Sequence, residues 1–486
     1  ASFSNSITFN GAGKTSTILT NSVSSSTAPR STLEFAGSKY VTFKNMTIRS
    51  TGSSYGWAMQ FNGSENCGTN NCILSVATSS STNVLCVTNT SSGTSYSSGV
   101  ASIGNTIDSC DVIGGSRNIM FWGLQNLNTC RGITISNSNL TKAYYQAIYF
   151  YATGGQLRIQ NNNFSDFGST TPTAAYISSG YYNSGYYSTS EGENEISGNN
   201  VQGCYSGFQI YSHNNSEDFP GLFFNNTISC TAGNGYQGLY LSGSSYPNEN
   251  WKVYHNTIVM SGTGTQYAMY AYHYNGGMDT LDVRNNIFEI NSGGGYPYYV
   301  RGNVPNGTSN VRDYNNYFNN SGTNLIYNNG SNITASGLSS VSNADGNSVN
   351  VKAPFVSRSA PVNLHLTDAC FATGTSISSV FEDRDGDARS STDPHLGSDE
   401  VSINTLDIGV TSIVSPNGSV TKGKQTVKVV VSNFGVTDVD SFKMHYQVGA
   451  GSVVSQSVSL SSALGVCESD TFTFTTTFTL NLGCTK

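Results

Sequence analysis

Apolar and polar residues alternate in short runs that break at an asparagine and close on one more apolar residue. In Leu281-Asp282-Val283-Arg284-Asn285-Asn286-Ile287-Phe288, Leu281 and Val283 share one face and Asp282 and Arg284 the other. Period-two patterning marks a half-buried strand. Asn285 ends it, because asparagine tolerates the left-handed turn conformation and can bond its own backbone, and Phe288 then points back inward. The phrase recurs at Val41, Phe43, Asn45, Ile48; Ile133, Ile135, Asn137, Leu140; Leu157, Ile159, Asn161, Phe164; Trp251, Val253, His255, Ile258; and Val311, Asp313, Asn315, Phe318. Weaker copies end at Ile73, Val112, Val201 and Ile228. The result is roughly ten copies about 24 to 39 residues apart, the range of solenoid repeats.

Each copy predicts one coil of an all-β, parallel β-solenoid of about ten coils. Asn45, Asn137, Asn161, Asn225, Asn285 and Asn315 stand three residues before the closing apolar residue. Stacked coils place them in a ladder, each amide donating to the next and fixing the register. A second strand follows at 147–151, 208–211, 238–241, 268–272, 298–300 and 325–327. Two or three strands per coil, each pairing with its counterpart in the next coil, leave a core in which every coil depends on its neighbours.

The expected organisation is cap strands at 1–32, the solenoid at 33–329 and an irregular closing segment at 330–400. From 401 to 486 short strands alternate with Pro416-Asn417-Gly418, Phe434-Gly435 and Gly449-Ala450-Gly451. That texture predicts an antiparallel, immunoglobulin-like sandwich. A full sandwich takes about 100 residues, so an incomplete one is expected, in a chain that continues past Lys486. Ala1 opens without a charged, apolar signal segment, which reads as a processed or trimmed product.

Composition narrows the function classes. In 486 residues the formal charge is -7, with no basic block, which argues against a nucleic-acid partner. No apolar run approaches the roughly 18 residues of a membrane span. Charged residues make up 10%, yet 29 tyrosines and 23 phenylalanines separate the chain from disordered glycine-rich sequence. Of the 10 cysteines, Cys204 with Cys230, Cys72 with Cys110, and Cys467 with Cys484 fall where they can meet. Disulfides in an oxidising, extracellular setting are the favoured reading, with buried thiols the alternative. No C-x-x-C pair supports zinc or thiol exchange.

Candidate chemistry is sparse. Gly11-Ala12-Gly13-Lys14-Thr15 echoes a phosphate-binding loop, but Thr8 stands where its first glycine belongs, so it reads as a turn. Asp383, Asp385 and Asp387 have the one-three-five spacing of a calcium loop. Glycine sits fourth there and no closing glutamate follows, so an acidic turn balanced by Arg384 and Arg389 is favoured over Ca2+. On the outer face of the first strands, Lys252, Asp282 and Arg312 are expected to stack beside Tyr254, Arg284 and Tyr314. Catalysis in a polysaccharide lyase or hydrolase needs clustered carboxylates, and one aspartate is too few; an exposed charge ladder is the plainer reading. Outward tyrosines of the second strand, Tyr149, Tyr151, Tyr211, Tyr240, Tyr270, Tyr272, Tyr299 and Tyr327, are expected to form a strip at about 4.8 Å per coil, suited to sugar faces or a protein surface. A tyrosine-rich excursion at 180–187, followed by Glu191, Glu193 and Glu195, adds a second candidate contact surface.

The run from Leu33 to Ile48, the segment Arg384-Asp385-Gly386-Asp387-Ala388-Arg389 with Leu396-Gly397-Ser398-Asp399-Glu400, and Asp407-Ile408-Gly409-Val410 together resemble the right-handed, PbH1-type parallel β-helix surface proteins of Bacteroidota. The resemblance implies a pectate-lyase-like β-helix, type IX secretion and a following CARDB-like adhesion domain. It also implies a large cell-surface protein, although the sorting domain of such exports is absent from this sequence. The expectation is therefore a rigid extracellular stalk or adhesive module. Its partners would be surface glycans, other surface proteins or further copies in a fibre, and it would need no cofactor. A polysaccharide-acting enzyme is the alternative.

Overall fold

A computed structural model describes residues 5–23, 25–124, 130–178, 193–213, 215, 217–233, 235–243, 248–273, 280–302, 311–340, 344–401 and 405–480. The chain divides into two compact units, Ala1–Leu364 with Ala372–Glu400, and His365–Phe371 with Val401–Lys486.

The first unit is a right-handed parallel β-solenoid, consistent with a pectate-lyase-like fold. Three strands serve each winding. Among the described residues the first sheet runs through eleven strands, from Ile7–Asn10 to Val311–Asp313, and the second through eleven, from Ile18–Asn21 to Asn316–Asn319. The third runs from Ser31–Ala36 to Asn324–Asn328, and Ser331–Thr334 folds back antiparallel on its end. Ile7–Asn10 and Ile18–Asn21 pair in parallel with Val41–Lys44 and Thr47–Ser50, so the residues read as cap strands already form a winding.

The alternation does what its period requires, because inward residues stack in columns along the axis. The first sheet contributes Ile107, Ile135, Ile159, Ile196, Phe223, Val253 and Val283, and the second Val112, Leu140, Phe164, Val201, Ile228, Ile258 and Phe288; all are buried. Between these two sheets the chain turns sharply. Asn45, Asn137, Asn161, Asn225 and Asn285 hold this corner with φ between 50° and 61°, a conformation asparagine adopts at low cost.

Those asparagines stack, and they bond corner to corner only in places, from Asn71 Nδ2 to Asn45 Oδ1 (2.6 Å) and between Asn285 Nδ2 and His255 Nε2 (2.8 Å), while the continuous amide ladder is a different row. The ladder lies one residue further on, at Asn162, Asn199, Asn226, Asn256, Asn286 and Asn315. Each Nδ2 in this row donates to the next Oδ1, at 3.1, 2.9, 3.0, 2.9 and 2.9 Å in turn. Each of these amides is also fully buried and donates to a main-chain carbonyl of the preceding winding. The corner asparagines point outward, where a residue in the left-handed conformation turns its side chain away from the core. Asn45 gives its amide to Asn10, Asn137 to Asp108, Asn285 to Thr375 and Asn225 to the Glu382 carbonyl. The last two partners belong to 372–400, which packs along this corner and also joins it through Arg389 Nη2 on Asn225 Oδ1 (2.8 Å).

The last winding corrects the expected register. Val311, not Arg312, pairs with Asp282, and Asp313 pairs with Arg284. Arg312 therefore faces inward opposite Val283, Tyr314 takes the corner (φ 53°), and Asn315 joins the buried ladder and not the corner column. The core ends here. Arg312 Nε meets Asp345 at 2.6 Å, and the Tyr317 hydroxyl donates to the same carboxylate at 3.0 Å, closing the apolar stack with a polar lid.

Among its described residues, the second unit carries seven antiparallel strands from Ile408–Ser415 to Phe478–Leu480 around Val427, Val429, Val431, Met444 and Phe474. A disulfide joins Cys370 to Cys467. This replaces the expected Cys467–Cys484 bond, and Cys484 lies outside the described residues. His365–Phe371 thus belongs with the second unit because its cysteine is tied there. Cys204 and Cys230 are direct neighbours on consecutive windings with Sγ atoms 2.7 Å apart, yet both are thiols. Cys72 and Cys110 are likewise buried thiols in hydrogen-bond contact. The hydrogen bond from Cys110 holds the Cys72 thiol down at about 7.

Candidate functional site

Two outward surfaces carry the predicted residues, and the third sheet holds the larger. Its strands Arg117–Trp122, Gln146–Tyr151, Thr173–Ser178, Ser206–Tyr211, Gln237–Gly243, Thr265–His273, Gly294–Gly302 and Asn324–Asn328 lie side by side. Tyrosine recurs at alternate, outward positions because aromatic side chains pack well on a pleated surface against cross-strand neighbours. Ring centroids follow one another at 6.3 Å from Trp122 to Tyr149, 4.9 Å from Tyr149 to Tyr176 and 4.9 Å from Tyr176 to Tyr211, with Tyr151 set beside Trp122 at 4.5 Å. They continue at 5.3 Å to Tyr240, 5.1 Å to Tyr270, 4.7 Å to Tyr299 and 4.4 Å to Tyr327. Tyr272 touches the row through Tyr270. The predicted tyrosines are therefore brought together into one continuous aromatic track.

Several members of the track escaped sequence reading. Tyr176, just ahead of the excursion at 180–187, sits in a strand between Tyr149 and Tyr211. Tyr205, Tyr236, Tyr267 and Tyr296 form a flanking row. Its signal was the tyrosine three residues before Tyr270 and Tyr299, a spacing that strand alternation alone does not flag. The excursion at 180–187 lies outside the described residues, as does Glu191. Burial raises the Tyr149, Tyr240, Tyr267, Tyr270 and Tyr299 phenols above their ordinary value. They remain protonated at neutral pH and can both donate and accept hydrogen bonds beside their ring faces.

The second surface is the outer face of the first sheet. Lys252 and Asp282 are paired neighbours there, as are Tyr254 and Arg284. Arg312 and Tyr314 are not on this face, for the reason of register given above. Arg284 clamps Asp282 through Nε (2.7 Å) and Nη2 (2.6 Å), and the Tyr254 hydroxyl donates to it at 2.5 Å. Three donors on one carboxylate hold it within its own cluster of neighbours. Tyr254 is moreover buried beneath Ile377 and Val380. Glu217, Asn250, Lys252, Thr280 and Asp282 help to line a cleft of about 250 Å³, and neither Lys252 nor Glu217 has a polar partner among the described residues.

The aspartates of the acidic turn do not share one task. Asp383 accepts the N–H groups of Asp385 and Asp387 on Oδ1 and that of Glu400 on Oδ2, so it serves as a backbone cap. Among the described residues Asp383, Asp385 and Asp387 do not converge as a ligand set, and no helix is long and apolar enough to cross a membrane. No family model, curated protein or solved structure matches this chain.

Proposed function

We propose that the chain is a rigid structural module of an extracellular or cell-surface protein that binds glycans along the aromatic track of its third sheet. The observation that carries this reading is the unbroken row of rings from Tyr149 to Tyr327, with neighbours 4.4 to 5.3 Å apart along its main path. A stack of ring faces with hydroxyl edges suits the apolar faces and hydroxyl rims of sugars. The solenoid supplies rigidity, so little ordering is required on binding. The resemblance to Bacteroidota surface proteins agrees with this placement, and it adds other surface proteins and further copies in a fibre as proposed partners. Soluble polysaccharides titrated into the protein provide the test. Tyr240→Ala and Tyr270→Ala should each weaken binding about tenfold or more without changing the fold, and unchanged binding in both would refute the track.

A second reading, a polysaccharide-acting enzyme, is favoured by the cleft in which Glu217 and Lys252 stand beside Asp282 without polar partners among the described residues. Product release from a bound polysaccharide, abolished by Glu217→Gln or Lys252→Met, would establish it.

A further inference from the structure

The charge on the third sheet is one-sided. From Arg117–Trp122 to Asn324–Asn328 its strands hold no aspartate or glutamate, although the chain has 29 acidic residues against 22 basic ones. They hold two arginines, Arg117 on the strand that begins the track and Arg301 near its far end. Arg117 stacks over the Tyr149 ring at 4.5 Å. Its Nε and Nη1 are buried without a hydrogen-bond acceptor, and the titratable groups that act on it are the phenols of Tyr149, Tyr96 and Tyr145, with no carboxylate. Arg30 shows the usual remedy: it also stacks on aromatic rings, those of Tyr55 and Trp57, but gives Nη1 to Asn83. Arg301 lies against Tyr270, Tyr299 and Tyr272, again without a carboxylate. A guanidinium partly stripped of water and left without a counter-charge, as at Arg117, is costly, and the negative charge of a carboxylate or sulfate brought beside it relieves that cost.

We infer that the track takes an anionic glycan, one bearing uronate carboxylates or sulfate esters, with Arg117 and Arg301 as the two counter-charges that bracket it. This rests on the reading of the track as a glycan surface. Six inter-strand steps of about 4.8 Å separate the two arginine strands, roughly 29 Å. The site therefore selects a polymer and not a single sugar.

The test compares polygalacturonate, a sulfated galactan, a neutral galactan and poly-L-glutamate by affinity electrophoresis. The proteins are the full chain and its Arg117→Met, Arg301→Gln and Tyr240→Ala variants. The wild type should bind one of the two anionic glycans at least tenfold more tightly than the neutral one, and whichever it prefers identifies uronate or sulfate as the recognised group. Arg117→Met and Arg301→Gln should each erase that preference while neutral binding persists. Equal binding of charged and neutral glycans, or a preference that survives both substitutions, overturns the inference while the track reading stands. Poly-L-glutamate bound with the same arginine dependence overturns it in favour of an acidic protein partner. Failure of the track reading is distinct: no glycan is retained, or Tyr240→Ala changes nothing. Should Arg117→Met not fold, Arg301→Gln, on an exposed side chain, decides the matter alone.

Discussion

Asn256 shows how much one side chain does here. Its Oδ1 accepts from both the backbone N–H and the amide of Asn226, and its Nδ2 donates to Asn286, to the Phe223 carbonyl and to the Tyr254 carbonyl. Removing it leaves several buried groups unmatched, and each such group costs about 1–3 kcal/mol. Asn256→Ala should therefore destabilise the solenoid by about 3 kcal/mol or more in denaturant unfolding. Asn163→Ala, in an exposed row where Asn163 donates to Asn139 at 3.2 Å, should cost about 0.5 kcal/mol or less. His213 makes the complementary point about charge. It is fully buried, its Nε2 has no partner, and burial lowers it from 6.5 to about 4. Between those two values the unfolded chain binds the proton and the folded chain does not, so stability falls as pH drops through that window. The loss should reach about 3 kcal/mol by pH 4. Melting curves of His213→Gln should show a shallower decline between pH 6.5 and 4 than wild type.

At the scale of the strand, the last winding explains why register is the hardest thing to read from sequence. Val311, Asp313, Asn315 and Phe318 fit the repeat phrase as well as Tyr314 at the corner and Asn315 in the buried ladder do. Shifting by one residue exchanges the inner and outer faces, and only the Asp345 carboxylate, which arrives from a later segment, makes an inward Arg312 acceptable. Breaking a buried pair from one side typically costs about 3–5 kcal/mol. Asp345→Ala should cost about that much, and hydrogen exchange should show protection lost first in the last windings, where the lid was. The asparagine doublets held the clue to the true ladder: from Asn162 to Asn315 the second position is asparagine in each winding, whereas the first admits Gly198, His255 and Tyr314. A position that must satisfy buried groups tolerates fewer residue types than an outward-facing turn.

At the scale of the molecule, each winding of the first unit rests on the one before it, so its stability belongs to the stack as a whole. The second unit has its own small core and its own covalent tie. The Cys370–Cys467 bond closes a loop with a sequence separation of 97, and cross-links of that span contribute about 4.7 kcal/mol where chain entropy dominates. Reduction, or Cys467→Ser, should lower the melting transition of the second unit by about that amount. The solenoid transition should stay in place, which calorimetry of the intact chain would show.

Alternation, asparagine corners and recurring tyrosines were enough to determine from the sequence that this is a parallel solenoid with one aromatic outer face. Each of those signals is local, and a stack of near-identical windings repeats a local choice. The sequence could not decide which asparagine is buried, where Arg312 points, which cysteines bond, or that 372–400 covers Tyr254. Those outcomes depend on groups far apart in the chain that compete for the same hydrogen-bond or packing partner, and only the folded arrangement resolves that competition.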